Sequence, residues 1–233
     1  MPYFELSKSD NNFPPAYFAD NDGLLAVGGE LTAALLLKAF ENGIYFWNHP
    51  LKHVKWWSPD PRIVVDIPNH DFDKDLFTND FTIEFNSNFT GVINKCKEVY
   101  NNKEAMDNRW LTERMDRVYH ELHHSGYAHS AEVWQDEDLV AGIIGIAIGK
   151  VFFVEYLFSA VKNGDVFALE SLLQALNKRK FILADMQKAS MFMEEFSFDE
   201  ISRLSYLDIC KMNVEEFSGE KTIFKKDQDD ENI

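Results

Sequence analysis

The 233-residue sequence predicts an α+β layer fold, and three features carry that expectation. Three apolar, strand-like runs follow one another between residues 128 and 159, separated by the short turn sequences "DED" and "GK", as in an antiparallel meander. Amphipathic segments with helix caps stand on either side of them, so helices have to pack across the sheet. A polar, loop-like stretch from Pro68 to Asp80 interrupts the pattern and is the best candidate for a domain boundary.

Taken in order, "FPPAYFADNDGLLAVGGE" is rich in turn formers, with Gly28 and Gly29 able to adopt positive φ. "LTAALLLKAFENG" predicts a helix with Thr32 as its N-cap and Gly43 as its stop. The corner "WWSPDPR" follows, in which Pro59 and Pro61 fix φ and remove two backbone donors. Packing alone accounts for Trp56 and Trp57, which can brace the junction between a small and a large unit. "RIVVDI" predicts a short strand.

Beyond the polar stretch, "FTIEFN" alternates like a strand and leads into a helix from Phe89 to Tyr100. A second helix is expected from Thr112 to Gly126. The meander strands are "AHSAEVWQ", "LVAGIIGIAIG" and "KVFFVEYLF". "DVFALESLLQALNKRK" then predicts a helix whose basic end complements the helix dipole. "FILADMQ" reads as a buried strand, "EISRLSYLDIC" as a mixed segment, and "DQDDENI" as an acidic, frayed tail.

Composition narrows the function. The hydrophobic share of 45% and 20 phenylalanines suit a globular protein with a large core. The net charge of −16 excludes a broadly basic nucleic-acid binder. Contact with phosphates would need a local cluster, such as Lys52, His53 and Lys55, or Lys95, Lys97 and Lys103. The start "MPYFELSKSD" lacks the regions of a secretory signal, and the longest apolar run is too short to span a bilayer. A cytoplasmic location without membrane contact is therefore expected, with Cys96 and Cys210 as reduced thiols. His120 and His124 in "HELHHSGYAH" have the spacing of helical zinc ligands but lack the H-E-x-x-H pattern and a clear third ligand. A helix end, and no metal, is the expectation.

Three polar residues stand out in apolar surroundings. Asp185 and Gln187 are two apart in a strand, so alternation places them on one face. A carboxylate beside an amide can orient an amine and relay its proton; a strand end turning to solvent also carries Asp and Gln without comment. Glu155 lies inside an apolar strand, where a carboxylate is costly unless paired. Alternation sets it with Phe153 and Leu157, which favours an inward role. Trp47 follows a helix-ending glycine, where a side chain can face a cleft.

The segments "GLLAVGGELT", "GIYFW", "WWSPDPR", "RWLT", "HSAEVW" with "AGIIG", "FFVEYLFS", "ADMQ" and "EISRLSYL" occur in an order and spacing that resemble the leucyl/phenylalanyl-tRNA–protein transferases. The resemblance implies a small N-terminal domain over 1–68, a larger acetyltransferase-like (GNAT-like) domain over 69–226, and a tail over 227–233. It implies transfer of Leu, Phe or Met from an aminoacyl-tRNA to a protein whose first residue is Arg or Lys, which marks that protein as an N-degron. No cofactor is implied. Asp185 would polarise Gln187, and Glu155 would contact the aminoacyl group. Trp47, Trp110 and Tyr119 would hold the 3′-terminal adenosine, while Ile143, Phe152, Leu157 and Leu169 would line a pocket for the amino-acid side chain.

The chain departs from the family pattern at several places. Val154 and Tyr156 flank the glutamate where Gly and Ser are common, and Ser190 and Phe192 stand at Asn and His positions. Phe40 replaces a helix tyrosine, and Ser202 replaces a proline. Two alternatives stay open: a relative that binds a peptide or RNA end without catalysis, and an acyl-CoA-dependent acetyltransferase. The latter needs a Q/R-x-x-G-x-G/A turn to hold a pyrophosphate, and "AVKNGDVFAL" offers only Gly164.

Overall fold

A computed structural model of the chain describes residues 3–47, 53–73, 81–101, 111–187, 196, 198–214 and 224. Trp110, Lys52, Lys103, Ser190, Phe192 and the 227–233 tail lie outside the described residues.

The first part of the chain makes a small sheet from β1 (Phe4–Leu6), β2 (Leu24–Gly28), β3 (Tyr45–Trp47) and β4 (Lys55–Trp57), in the order β1-β2-β4-β3. Three of these strands have three residues, too few for alternation to show in the sequence. Gly28 ends β2 with φ +99°, and a Cβ there would sit 2.4 Å from the Leu6 carbonyl oxygen. Only glycine lets β1 pair so closely at that bend. Helix α1 (Ala33–Glu41) packs its Leu35, Leu36, Ala39 and Phe40 side inward, and Thr32 Oγ1 accepts from the Leu35 amide at 3.1 Å, as its sequence predicted.

The tryptophan corner is core. Trp56 is fully buried, its indole N–H donates to the Gly28 carbonyl at 2.9 Å, and its ring meets Phe13 edge-on at 4.7 Å. Trp57 lies edge-on to Trp47 at 6.2 Å. The chain then turns through a cis Asp60–Pro61 bond. Asp60 Oδ1 accepts from the Arg203 amide at 3.1 Å, which ties the corner to the last described helix, Arg203–Val214.

The second sheet contains β5 (Arg62–Asp66), β6 (Phe81–Phe85), β7 (Ala128–Gln135), β8 (Asp138–Ile148), β9 (Val151–Ser159), β10 (Leu183–Gln187) and β11 (Asp199–Ile201). Their order is β11-β5-β10-β9-β8-β7-β6. The meander β7-β8-β9 is antiparallel, as expected. Strand β10 returns parallel to β9 after helix α4 (Gly164–Lys178), a β-α-β crossover. Strand β5 pairs antiparallel with both β10 and β11, so the chain passes between the sheets at the Ser58–Pro61 corner, upstream of the polar stretch.

Helices α2 (Phe89–Tyr100) and α3 (Glu113–His124) join α1 over one face of the large sheet, and α4 covers the other. Asn88 and Thr112 cap α2 and α3 through their side-chain oxygens. The mixed "EISRLSYLDIC" segment divides into β11 and helix α5 (Arg203–Val214). The histidine-rich helix end is engaged in packing: His123 stacks on Phe89 at 4.0 Å, and His120 Nδ1 lies 2.8 Å from Asp116 Oδ1.

Candidate active site

Strands β9 and β10 lie side by side, with Asp185 opposite Phe153. The pairing of β8 with β9 skips Glu155: Ile144 faces Tyr156 and Gly145 faces Val154. One extra residue at this point breaks the alternation. Phe153 and Tyr156 both belong to the apolar cluster under α2 and α3, whereas Leu157 belongs to the cluster under α4. The expected grouping of Glu155 with both Phe153 and Leu157 is thus corrected, because the bulge sends Leu157 to the opposite face. Glu155 is buried, and its Oε2 accepts from the Tyr119 hydroxyl at 2.5 Å.

A second irregularity falls in β10 between Asp185 and Gln187. Gln187 has φ +62°, so simple alternation does not govern where its side chain goes. The contact between the two residues runs through the backbone: the Gln187 N–H donates to Asp185 Oδ1 at 2.8 Å. The Gln187 side chain instead donates from Nε2 to the Val154 carbonyl at 3.3 Å and to Glu155 Oε1. Two acceptors around one end of the amide identify that end as nitrogen and turn the amide oxygen the other way. Both Asp185 and Gln187 are buried, unlike a strand end opening to solvent.

Sequence reasoning did not single out the partners of Asp185. Arg62 donates from Nε to Oδ1 at 2.8 Å and from Nη2 to Oδ2 at 2.6 Å, a two-pronged pair with both side chains buried. The Tyr206 hydroxyl donates to Oδ2 at 2.5 Å. The guanidinium carbon lies 4.8 Å from the Tyr45 ring centre and 4.5 Å from that of Tyr206. Burial works against the charge on Arg62, but Asp185 and the two tyrosines outweigh it and hold the guanidinium above its ordinary pKa. Burial pushes the Tyr206 phenol up well above its ordinary value. The available signal was Arg62 itself, a charge opening an apolar strand that needs a carboxylate partner once buried.

The remaining expected site residues divide between the faces. Tyr119 is buried on the α3 side, edge-on to Tyr156 at 5.7 Å. Ile143, Phe152, Leu157 and Leu169 are all buried in the cluster under α4. Trp47 is half-buried at the end of β3, between the rings of Tyr45 and Trp57. Trp110 lies outside the described residues. Two of the departures fill the apolar cluster under α2 and α3: Phe40 packs on Phe153 at 4.7 Å, and Tyr156 meets Tyr100 edge-on at 5.1 Å. Among the described residues, no group of three or more His, Cys, Asp or Glu could hold a metal ion.

Chemically, the cluster offers an oriented amide, a carboxylate held by a phenol, and a second carboxylate filled by an arginine, a second phenol and a backbone amide. Such a set can position an amine and a carbonyl group against each other, the main need of acyl transfer from an already activated ester.

A family model described as "Leucyl/phenylalanyl-tRNA protein transferase" matches residues 67–211. The protein named leucyl/phenylalanyl-tRNA–protein transferase from Syntrophobacter fumaroxidans is 37% identical over 221 residues, covering 93% of this chain and 93% of its own. The one from Flavobacterium johnsoniae is 36% identical over 203 residues, covering 85% of this chain and 95% of its own. Among solved structures, FemX overlaps 76% of this chain and 65% of its own at a TM-score of 0.43 and 10% identity. The α+β class is set by the sheets and helices described above, not by that loose likeness.

Proposed function

The chain belongs to the leucyl/phenylalanyl-tRNA protein transferase family, and we propose that Glu155, Asp185 and Gln187 form the centre at which it passes an aminoacyl group from tRNA to a protein. The donors would be Leu-, Phe- or Met-tRNA. The acceptor would be a protein beginning with Arg or Lys, a basic end suited to a chain of net charge −16. The product would be an N-degron, made in the cytoplasm, where charged tRNA is found. No helix among the described residues is long and apolar enough to cross a membrane.

The reaction is aminolysis. The acceptor's α-amine attacks the ester carbonyl carbon; the new C–N bond forms as the bond to the ribose oxygen breaks. The proton lost by the amine ends on that ribose oxygen. Gln187 would present its amide oxygen to the attacking amine, because its nitrogen is held by Val154 and Glu155. Glu155 would offset the positive charge on the α-amine of the aminoacyl group. Tyr119, bonded to Glu155, would connect that carboxylate to the adenosine side, where Trp47 and Trp110 would supply ring faces for stacking. Ile143, Phe152, Leu157 and Leu169 would shape the side-chain pocket, in which one methylene changes discrimination by about 1–3 kcal/mol.

The observation that supports this best is the locked amide of Gln187 beside a buried carboxylate. The test is incubation of the protein with Leu-, Phe- or Met-tRNA and peptides starting with Arg, Lys or Ala, followed by mass spectrometry. The expected result is addition of one residue to the Arg and Lys peptides and loss of that addition in Gln187→Ala. No addition to any peptide, or full activity in Gln187→Ala, would overturn the assignment.

A further inference from the structure

We propose that Arg62 is a positioning residue for aminoacyl transfer, acting through Asp185 on the backbone of Gln187, and that Asp185 is a bracket and not a proton carrier. The proposal rests on the role given above to Gln187.

Four donors converge on the Asp185 carboxylate. Oδ1 receives Arg62 Nε and the Gln187 amide, both at 2.8 Å; Oδ2 receives Arg62 Nη2 at 2.6 Å and the Tyr206 hydroxyl at 2.5 Å. A carboxylate has about four lone-pair sites, so fixed protein groups fill this one. An arriving amine finds no acceptor position on it. What Asp185 does reach is the Gln187 N–H, at the residue where β10 bulges and φ turns to +62°. A glutamine in that left-handed region needs an anchor to hold one conformation. That anchor decides the direction in which the amide leaves the strand.

Arg62 holds the bracket in turn. Its guanidinium lies between the rings of Tyr45 and Tyr206, and Nη1 reaches the Gly43 carbonyl at 3.5 Å. Tyr45 and Gly43 come from the small sheet and the turn before it, and Tyr206 comes from α5. With Asp185 from β10, three separate parts of the chain therefore fix one guanidinium, and a two-pronged arginine–carboxylate pair transmits orientation as well as charge. Lysine at position 62 could keep the charge but not the fork.

The test measures kcat and KM for aminoacyl-tRNA and acceptor peptide in Arg62→Lys, Arg62→Ala, Tyr206→Phe and Gln187→Ala, with the folded fraction of each taken from thermal melts. Arg62→Lys is expected to lower kcat about 10- to 100-fold, as a displacement near 1 Å in a catalytic group does, with both KM values unchanged. Tyr206→Phe removes one of the four donors and lowers kcat about 3- to 10-fold. In Arg62→Ala, millimolar guanidinium ion is expected to restore part of kcat and methylammonium is not. Should Arg62→Lys fail to fold, Tyr206→Phe decides the matter, since it deletes only a hydroxyl. Parent-like kcat in Arg62→Lys and Tyr206→Phe, beside a loss in Gln187→Ala, would overturn this proposal and leave the assignment of Gln187 standing. Parent-like kcat in Gln187→Ala would overturn that assignment itself.

Discussion

The Tyr119 hydroxyl lies 2.5 Å from Oε2 of Glu155, and both side chains are buried. The tyrosine comes from α3 and the glutamate from the bulge in β9, so this bond joins the helical layer to the sheet where its register changes. Tyr119→Phe leaves a buried carboxylate short of one donor. It is expected to destabilise the protein by about 1–3 kcal/mol and to slow transfer. Urea denaturation and the peptide assay check both effects; an unchanged unfolding midpoint would show the bond to carry no net stabilisation.

His129 gives the fold a pH dependence of known sign. It is buried, its Nδ1 faces Asn86 Nδ2 at 3.1 Å, and burial followed by repulsion from His123 lowers its pKa to about 4. The unfolded chain takes up a proton near 6.5 that the folded one refuses. Stability from neutral His129 is complete above that pH and is lost as pH falls through the window down to about 4. Glu132, raised by burial, acts in the opposite direction and His123, lowered by burial, in the same one, so the parent's total slope mixes all three. The comparison with His129→Asn isolates the histidine: between pH 7 and 5 the variant is expected to lose about 2 kcal/mol less than the parent. Parallel stability curves would exclude a buried neutral His129.

Binding of tRNA is expected to depend only weakly on salt. Two of the candidate lysines are already paired: Lys95 with Glu98 at 3.2 Å, and Lys97 with Glu113 at 2.9 Å and Asp116 at 2.8 Å. On a chain of net charge −16, few phosphates can then be neutralised. A log–log slope of about −3 or shallower is expected, measured by fluorescence anisotropy across a salt titration. A slope several times steeper would require a broad basic surface.

The tryptophan corner should matter for stability and little for the chemical step. Trp56→Phe removes the bond to the Gly28 carbonyl and part of the packing against Phe13 and Phe46. The expected cost is about 1–3 kcal/mol in chemical denaturation, with kcat per folded molecule retained. A selective fall in kcat would mean that Trp56 acts beyond the core.

Long, periodic elements were legible in the sequence, and so were helix caps. Thr32 capping α1 and the β7-β8-β9 meander are examples, because hydroxyl spacing and sustained hydrophobicity leave local signals. The small sheet was not legible. Its three-residue strands are held by partners far along the chain, as Trp56 is by Gly28. Glu155, Asp185 and Gln187 stood out as polar groups in apolar runs, but strand alternation misjudged their directions. Each extra residue in a strand reverses a face, and neither the bulge at Glu155 nor the positive φ at Gln187 has a local sequence mark. Arg62 escaped notice as a site residue because its partner is 123 positions away.

Helix α5 has a consequence for when the protein becomes competent. Its Arg203 donates to the carbonyls of Ala19 and Asp20, and its Tyr206 caps Asp185, so the last described helix closes contacts opened near the start of the chain. During synthesis the earlier sheets leave the ribosome first, yet Arg62 and Asp185 lack Tyr206 until α5 emerges. A nascent chain would therefore stay short of full activity among the charged tRNAs that crowd the ribosome until α5 has emerged. Ribosome-bound chains stalled with α5 still inside the exit tunnel are expected to transfer at least about 3- to 10-fold more slowly in the peptide assay than chains stalled on a linker long enough to expose α5.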